Sequence, residues 1–120
     1  MILVVDDSED NRDIYAASLE HAGYAVELAS DGAEAIAIAR RARPEIIVMD
    51  LGMPVMDGWE AIAALRATPE THDTYVIVVS GFADVKSRER ARDAGCDEFL
   101  AKPCLPRVLL QRVIEVLAKR

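Results

Sequence analysis

Apolar runs and amphipathic stretches alternate along the chain and predict five strands, each followed by a helix. Residues 2–5, 45–50 and 75–80 are almost continuously apolar, as expected for strands that are buried on both faces. Residues 24–30 alternate between apolar and polar, which indicates a strand with one less buried face, and 97–102 form the fifth strand. Apolar strands separated by helices predict an α/β fold with a doubly wound parallel sheet that is covered by helices on both faces.

The ends of the helices follow from capping residues and helix breakers. Ser8 is suited to cap a first helix over 9–22, which Gly23 would end. Asp31 and Asp57 are favoured as the caps of the second and third helices rather than as ligands. The remaining helical segments are expected over 33–42, from 58 onward, over 83–95 and from Pro106 onward.

Apolar residues at helical spacing predict the face that each helix turns to the sheet. The fourth helix is weakly amphipathic, because only Val85, Ala91 and Ala94 offer apolar surface on its inner face. The residues expected to face inward elsewhere are Ile14, Tyr15, Leu19 and Ala22 in the first helix, Trp59, Ile62 and Leu65 in the third, and Leu109, Leu110, Val113, Val116 and Leu117 in the last.

Composition and charge narrow the class of protein. The 120 residues are 52% hydrophobic and 29% charged, which suits one globular domain over residues 1–120. A net charge of −7 argues against direct binding to nucleic acid and favours cations or basic protein surfaces. No apolar run approaches the roughly 18 residues of a membrane span, and no charged leader precedes the first strand. We therefore expect a cytoplasmic protein with no membrane contact.

Polar side chains stand at the carboxyl ends of four of the five predicted strands. Asp6 and Asp7 follow the first strand, Asp50 ends the third, Ser80 ends the fourth and Lys102 ends the fifth. The carboxyl ends of parallel strands meet at one edge of a sheet, and binding sites of open α/β folds lie there. The sequence therefore predicts that these five side chains come together.

The chemistry of this set indicates phosphoryl transfer. Two carboxylates 4 Å apart repel by about 4 kcal/mol at an effective dielectric constant near 20, and a divalent cation relieves that repulsion. An all-oxygen ligand set suits Mg²⁺, or Mn²⁺. Lys102 offers a positive charge to a phosphate oxygen, and Ser80 can donate a hydrogen bond to another. Asp50, alone on a central strand, is the predicted nucleophile, which would form an aspartyl phosphate.

Four segments of the chain resemble the receiver domain of two-component response regulators. They are LVVDDSEDNR, IIVMDLGMPVMDGWE, VIVVSGFAD and AGCDEFLAKP, and they occur in the family's order and at its spacing. The resemblance covers essentially the full length of the chain. It implies a flavodoxin-like fold of five βα units with the strand order 2-1-3-4-5.

The resemblance also implies a role for the residues at the strand ends. Asp50 would accept a phosphoryl group from a histidine kinase or phosphotransfer protein, and Lys102 would contact that group. Asp7, Asp50 and the backbone carbonyl of Gly52 would bind Mg²⁺, whereas Asp6 would reach the ion through water. The peptide bond between Lys102 and the following proline would be cis, which aims the lysine at the site.

Two further residues would carry the switch that the resemblance implies. Ser80 would move toward the phosphoryl group and Phe99 would turn inward behind it. Ser80 as a cap of a helix from Ala83 onward, and Phe99 as an ordinary core residue, remain open alternatives. Gly52 and Phe82 occupy the positions that tune the access of water to the acyl phosphate in this family, and this unusual pair leaves the lifetime of the phosphate open.

Three rival functions fit the sequence less well. A phosphohydrolase similar to haloacid-dehalogenase enzymes needs a second aspartate two residues after its nucleophile, where this chain has Gly52. A flavodoxin-like cofactor module needs a Ser/Thr/Gly-rich loop after the first strand, which is missing. A purely structural receiver would not need every site position filled.

The sequence thus predicts a phospho-accepting switch that catalyses only its own phosphorylation and dephosphorylation and is not otherwise an enzyme. Phosphorylation would change the face formed by the fourth helix, fifth strand and last helix. Expected partners are the phosphodonor and a downstream protein target or a covalently linked domain, with the chain a monomer or a phosphorylation-dependent dimer. A complete single-domain regulator and a fragment of a longer protein both fit.

Overall fold

Strands and helices alternate along the whole chain, as the sequence predicts. The computed structural model describes residues 1–120. The strands are β1 Ile2–Val5, β2 Val26–Ala29, β3 Ile46–Met49, β4 Tyr75–Ser80 and β5 Glu98–Ala101, and the helices are α1 Glu9–His21, α2 Gly32–Ala42, α3 Gly58–Ala67, α4 Val85–Ala94 and α5 Pro106–Ala118.

The five strands form one parallel sheet in the order β2-β1-β3-β4-β5, which confirms the predicted α/β doubly wound topology. Val5 lies beside Met49 in the register of β1 and β3. The Asp50 amide donates to the Val5 carbonyl at 2.9 Å, and the Lys102 amide donates to the Ser80 carbonyl at 2.9 Å. The polar residues that follow the strands therefore emerge at one edge of the sheet.

Two apolar layers hold the helices against the sheet. Because successive residues of a strand point to opposite faces, Leu3 and Val5 pack with α2, α3 and α4, whereas Ile2 and Val4 pack with α1 and α5. The last helix contributes most of its predicted stripe to the second layer. Its buried members are Leu109, Val113 and Val116, and Leu110 and Leu117 are partly buried.

The predicted inner face of α1 is partly wrong. Tyr15 and Leu19 are buried, but Ile14 is 52% exposed and Ala22 is also exposed. The Tyr15 hydroxyl donates to the carbonyl of Cys104 at 3.0 Å and ties this face of α1 to the start of α5. With Tyr15 turned to α5, its neighbour Ile14 lies about 100° around the helix and faces outward.

The predicted inner face of α4 is confirmed at Ala91, which is buried. It is wrong at Val85, which is 70% exposed. Residues six positions apart on an α-helix differ by about 120° around its axis, so these two cannot share one face. The N-cap of α4 is Asp84, whose side chain accepts from the Ser87 amide, so Ser80 does not cap this helix. The weak burial of α4 matches the sequence prediction.

Capping by Ser8, Asp31 and Asp57 is confirmed, since each side chain accepts from the amide three residues ahead in its own helix. None of the helices has the length and apolar content that would let it cross a membrane.

Candidate functional site

Three aspartates lie together at the carboxyl edge of the sheet. Asp6 and Asp7 follow β1 and Asp50 follows the adjacent β3, and one carboxylate oxygen of each lies within 4.8 Å of the others. Asp6 is 3% exposed and Asp50 is 8% exposed, whereas Asp7 is open to solvent. The neighbouring strands thus bring together the acidic residues that sequence reasoning selected.

Local backbone groups orient the two buried carboxylates. Asp6 Oδ1 accepts from the Ser8 amide at 2.9 Å, and Asp50 Oδ1 accepts from the Leu51 amide at 2.8 Å. The Arg12 guanidinium donates to the Asp6 backbone carbonyl at 2.8 Å, which links the first turns of α1 to the end of β1. The second oxygen of each buried carboxylate lies next to the Lys102 ammonium.

Lys102 supplies the positive charge of the site. Its Nζ lies 2.9 Å from Asp6 Oδ2 and 3.5 Å from Asp50 Oδ2. The peptide bond between Lys102 and Pro103 is cis, as the family resemblance implies. Burial alone would lower the pKa of Lys102, but the hydrogen bond to Asp6 and the charges of Asp50 and Asp6 outweigh burial and raise it. The lysine is therefore fixed in its charged form.

Burial raises the pKa of the Asp50 carboxyl above its ordinary value. The charge of Lys102 opposes this effect, the charge of Asp6 adds to it, and the hydrogen bond from the Leu51 amide and the neighbouring Ser80 side chain favour the ionised form. Ser80 is fully buried at the end of β4, and its hydroxyl also accepts from the Phe82 amide at 3.1 Å. The site thus holds Asp50 in an environment that disfavours an isolated negative charge.

Phe99 lies on β5, beside Val78 of β4, on the side of the sheet that packs against α4. Its ring is partly buried, and the guanidinium of Arg88 from α4 lies 5.0 Å from the ring centre. The ring therefore packs between the core and an arginine of α4.

The loop after Asp50 is tightly constrained. A Cβ atom on Gly58 would overlap the backbone carbonyl of Asp50, so only glycine fits there. Val55 has a φ of 68°, and the Met56 amide donates to the Pro54 carbonyl at 2.7 Å. This pattern is a γ-turn with positive φ, a rare conformation that is strained for a β-branched residue.

Sequence reasoning missed an aromatic pair beside this loop. The Phe82 ring lies directly against Gly52, because a Cβ atom on that glycine would come 2.5 Å from Phe82 Cε2. Trp59 packs edge-on against Phe82 with ring centres 5.8 Å apart. Trp59 packs against the core as predicted, but it is only partly buried, and its ring also reaches α4. The family resemblance already pointed to Gly52 and Phe82 as a pair, but nothing in the sequence indicated that Trp59 packs against Phe82.

The donor set fits a hard divalent cation. Three carboxylates and one ammonium leave a net charge of two negative units in one small space. The side-chain atoms of this cluster that could bind a metal ion are all carboxylate oxygens. Ligands around Mg²⁺ at about 2.1 Å stand at most about 4.2 Å apart, so small side-chain rotations would close the 4.8 Å cluster around one ion. Asp6, Asp7 and Asp50 are the residues that could hold it.

Comparison with known proteins identifies the same architecture. The family model for the response regulator receiver domain matches residues 2–114. Response regulator MprA of Mycobacterium leprae is 39% identical over 118 residues, which is 98% of this chain and 51% of that relative. Transcriptional regulatory protein PrrA of Mycobacterium tuberculosis is 40% identical over 119 residues, which is 99% of this chain and 50% of that relative. The chain spans about half the length of these curated relatives.

Solved structures with this fold are similar over nearly the whole chain. Chemotaxis protein CheY4 of Vibrio cholerae superposes with a TM-score of 0.90 at 35% identity, covering 96% of both chains. The receiver domain of a signal transduction histidine kinase from Syntrophus aciditrophicus gives 0.90 at 32% identity, covering 98% of this chain and 89% of that one. The chain therefore belongs to the response regulator receiver domain family, a signalling domain of two-component systems and not a classical enzyme.

Proposed function

We propose that Asp50 accepts a phosphoryl group from a histidine kinase or phosphotransfer protein in a reaction that requires Mg²⁺. The observation that carries this proposal is the position of Lys102 Nζ between two buried carboxylates, 2.9 Å from Asp6 and 3.5 Å from Asp50. A fixed ammonium beside a nucleophilic carboxylate can bind a phosphoryl oxygen as the new bond forms.

Each residue of the site has its own role in the transfer of the phosphoryl group. An Asp50 oxygen attacks phosphorus, the bond from phosphorus to the donor nitrogen breaks, and its electron pair stays on that nitrogen. Asp7, Asp50 and the Gly52 carbonyl would hold Mg²⁺, and Asp6 would reach the ion through water. The ion, when bound, neutralises charge on the phosphoryl oxygens. Lys102 contacts a phosphoryl oxygen and moves away from Asp6 to do so.

Phosphorylation then acts as a conformational switch. The Ser80 hydroxyl turns toward the phosphoryl group and Phe99 moves into the space behind it. Because Arg88 of α4 lies over the Phe99 ring, this movement alters the face formed by α4, β5 and α5. A downstream protein target or a covalently linked domain binds this face. The chain acts as one receiver domain over residues 1–120 in the cytoplasm, as a monomer or a phosphorylation-dependent dimer.

The phosphodonor protein docks beside α1 and the start of α5. Ile14 is 52% exposed and Leu105 is 53% exposed on these two elements, which pack against each other through Tyr15. The chain catalyses only its own phosphorylation and dephosphorylation. Residue 52 is the position at which a phosphohydrolase would carry its second acid. Here that position is glycine, and the Phe82 ring lies directly against it.

Incubation with a small phosphodonor, with and without Mg²⁺, followed by intact-mass measurement tests this function. We expect the wild type to gain one phosphoryl group only with Mg²⁺, and Asp50→Ala to gain none. Asp57→Asn is the matched control, because Asp57 caps α3 on the same loop and asparagine is an equally good cap. Absence of labelling in the wild type, or equal labelling of Asp50→Ala, would refute the assignment.

A further inference from the structure

The Asp50 loop and α4 are joined by two aromatic side chains, Phe82 and Trp59, which we call the aromatic bridge. Phe82 forms its first contact, because its ring lies so close to Gly52 that no Cβ atom fits between them. Phe82 is nevertheless 52% exposed. Its backbone amide also donates to the Ser80 hydroxyl at 3.1 Å, so two parts of the phosphorylation site fix its position.

Trp59 forms the second half of the bridge and reaches α4. Its ring meets the Phe82 ring edge-on at 5.8 Å, with an angle of 66° between the planes. The indole N–H donates to the Ser87 carbonyl at 3.2 Å, and the Arg90 guanidinium lies 4.4 Å from the ring centre. A continuous chain of contacts therefore runs from the residue two positions after Asp50 to the first half of α4.

The other end of α4 is held separately by Arg66 of α3. Arg66 Nε donates to the Gly95 carbonyl at 2.9 Å, immediately after α4, and Nη2 donates to Asp97 at 2.8 Å. The same Asp97 carboxylate accepts from the Val76 amide of β4 at 2.8 Å. The C-terminal end of α4 is thus attached to the sheet by contacts that do not involve the aromatic bridge.

We propose that Phe82 and Trp59 are positioning residues that couple the Gly52 loop to the first half of α4, with the end held by Arg66 as the pivot. The trigger, though not the coupling itself, rests on the proposed phosphorylation of Asp50. When Ser80 turns to the phosphoryl group, the Phe82 amide loses its acceptor, Phe82 shifts on Gly52, and Trp59 carries that shift to Ser87 and Arg90.

This route is separate from the one through Phe99, which reaches α4 from the opposite side through Arg88. It also works in reverse, because coupling between two sites is reciprocal. A partner that holds the first half of α4 fixes Trp59 and Phe82, and so fixes the loop that carries the Gly52 carbonyl. Trp59 thereby positions the phosphorylation site without touching the reacting atoms.

The chain offers a direct test, because Trp59 is its one tryptophan and all tryptophan emission reports on the bridge. Gly52→Ala forces Phe82 to move and is expected to change the emission of Trp59 and the amide resonances of residues 85–90, while those of 95–97 stay in place. Gly81→Ala is the matched control, since a Cβ atom there meets nothing within 4 Å.

The same substitutions in a Phe82→Ala background separate coupling from a general disturbance. With the ring removed, Gly52→Ala should no longer change Trp59 emission. An unchanged effect of Gly52→Ala in that background, or an equal effect of Gly81→Ala, would overturn the proposal. Trp59→Phe is a second variant that keeps a ring against Phe82 and removes the donor to Ser87, and it should move the amide resonances of residues 85–90 without moving those of 95–97.

A phosphorylation experiment distinguishes failure of the coupling from failure of the proposed function. After labelling with a small phosphodonor, the wild type should show a change in Trp59 emission that Phe82→Ala lacks. Labelled wild type with unchanged emission would overturn the coupling and leave the proposed function standing. Absence of labelling would overturn the proposed function, whereas the Gly52→Ala arm would still decide whether the bridge couples the loop to α4.

Discussion

Replacing Lys102 with methionine tests how much its charge stabilises the acidic cluster, apart from its role in phosphoryl transfer. Methionine has nearly the same length but no charge, so Asp6 and Asp50 lose the counter-charge that lies 2.9 Å and 3.5 Å from their oxygens. The side chains of Asp6 and Asp50 are 4% and 10% exposed, so water solvates these carboxylates poorly once the ammonium is removed. We expect a large loss of stability at neutral pH in the absence of divalent cations.

The size of this loss follows from the geometry. At an effective dielectric constant near 20, attraction across each of these distances is on the order of 5 kcal/mol before the cost of dehydration. Removal of one partner from a buried ion pair lowers the free energy of unfolding by roughly 3–5 kcal/mol. The Lys102 side chain is 22% exposed, which places the expected loss at the lower end of that range. We therefore expect Lys102→Met to lower the free energy of unfolding by about 3 kcal/mol.

The loss should depend on pH with a defined sign. Burial raises the native pKa of Asp50 above its ordinary 3.8, so the ionised group opposes folding. This cost is absent below 3.8, grows as the pH rises through the native pKa, and is complete above it. The charge of Lys102 lowers that pKa, so its removal raises the pKa further and increases the cost. The difference between variant and wild type should shrink as the pH falls toward 4.

Urea unfolding at pH 7 and at pH 4, with and without Mg²⁺, measures these effects. Mg²⁺ should stabilise Lys102→Met more than the wild type, because the ion replaces the missing charge, while phosphoryl uptake stays impaired. Lys86→Met, which removes an exposed lysine from α4, is the control and should change little. An unchanged urea midpoint for Lys102→Met at pH 7, or a loss of equal size at both pH values, would show that the ion pairs do not stabilise the cluster.

Three further substitutions test other parts of the structure. Val55→Gly should raise the free energy of unfolding by about 1 kcal/mol, because it relieves a positive φ of 68°; a lower urea midpoint would contradict the strained turn. Gly95→Ala should lower it by about 2–4 kcal/mol, because φ is +117° and the new Cβ would lie 2.7 Å from Arg66 Cγ; a neutral thermal-unfolding result would contradict this. Ile14→Glu should slow phosphoryl transfer from a protein donor but not from a small phosphodonor, in parallel labelling time courses, and equal slowing with both would contradict docking beside α1.

Much of the fold and of the site could be predicted from strand patterns. Parallel strands place their carboxyl ends at one edge, so Asp6, Asp50 and Lys102 had to meet once each strand was recognised. Their closeness follows from hydrogen-bond register, which the apolar runs fix by burying whole strands. The capping role of Asp57 was likewise predictable, because its side chain binds an amide only three residues ahead in the sequence.

Contacts between loops and the phase of helices were not predictable in this way. Ile14 and Val85 were assigned to inner faces from the spacing of apolar residues, but the rotation of each helix depends on neighbours such as Tyr15 against Cys104. The contact of Phe82 with Gly52 joins two loops whose backbone paths are not encoded by periodicity. Strain at Val55 is invisible to any pattern of polar and apolar residues, because it lies in the backbone dihedral angle.

The weak burial of α4 is the reason why we expect a phosphoryl group on Asp50 to move this helix. Ala91 is its one buried residue, so little hydrophobic free energy fixes its position. Two of its arginines instead cover aromatic rings on opposite neighbours, Arg88 over Phe99 of β5 and Arg90 over Trp59 of α3. Such contacts contribute about 0.5–1 kcal/mol each at exposed sites, whereas a hydrogen bond to a charged group contributes about 1.5–3 kcal/mol. If Asp50 is phosphorylated as we propose, a few hydrogen bonds from Ser80 and Lys102 to the phosphoryl group would exceed these two arginine–ring contacts, so we expect the half of α4 away from Arg66 to respond.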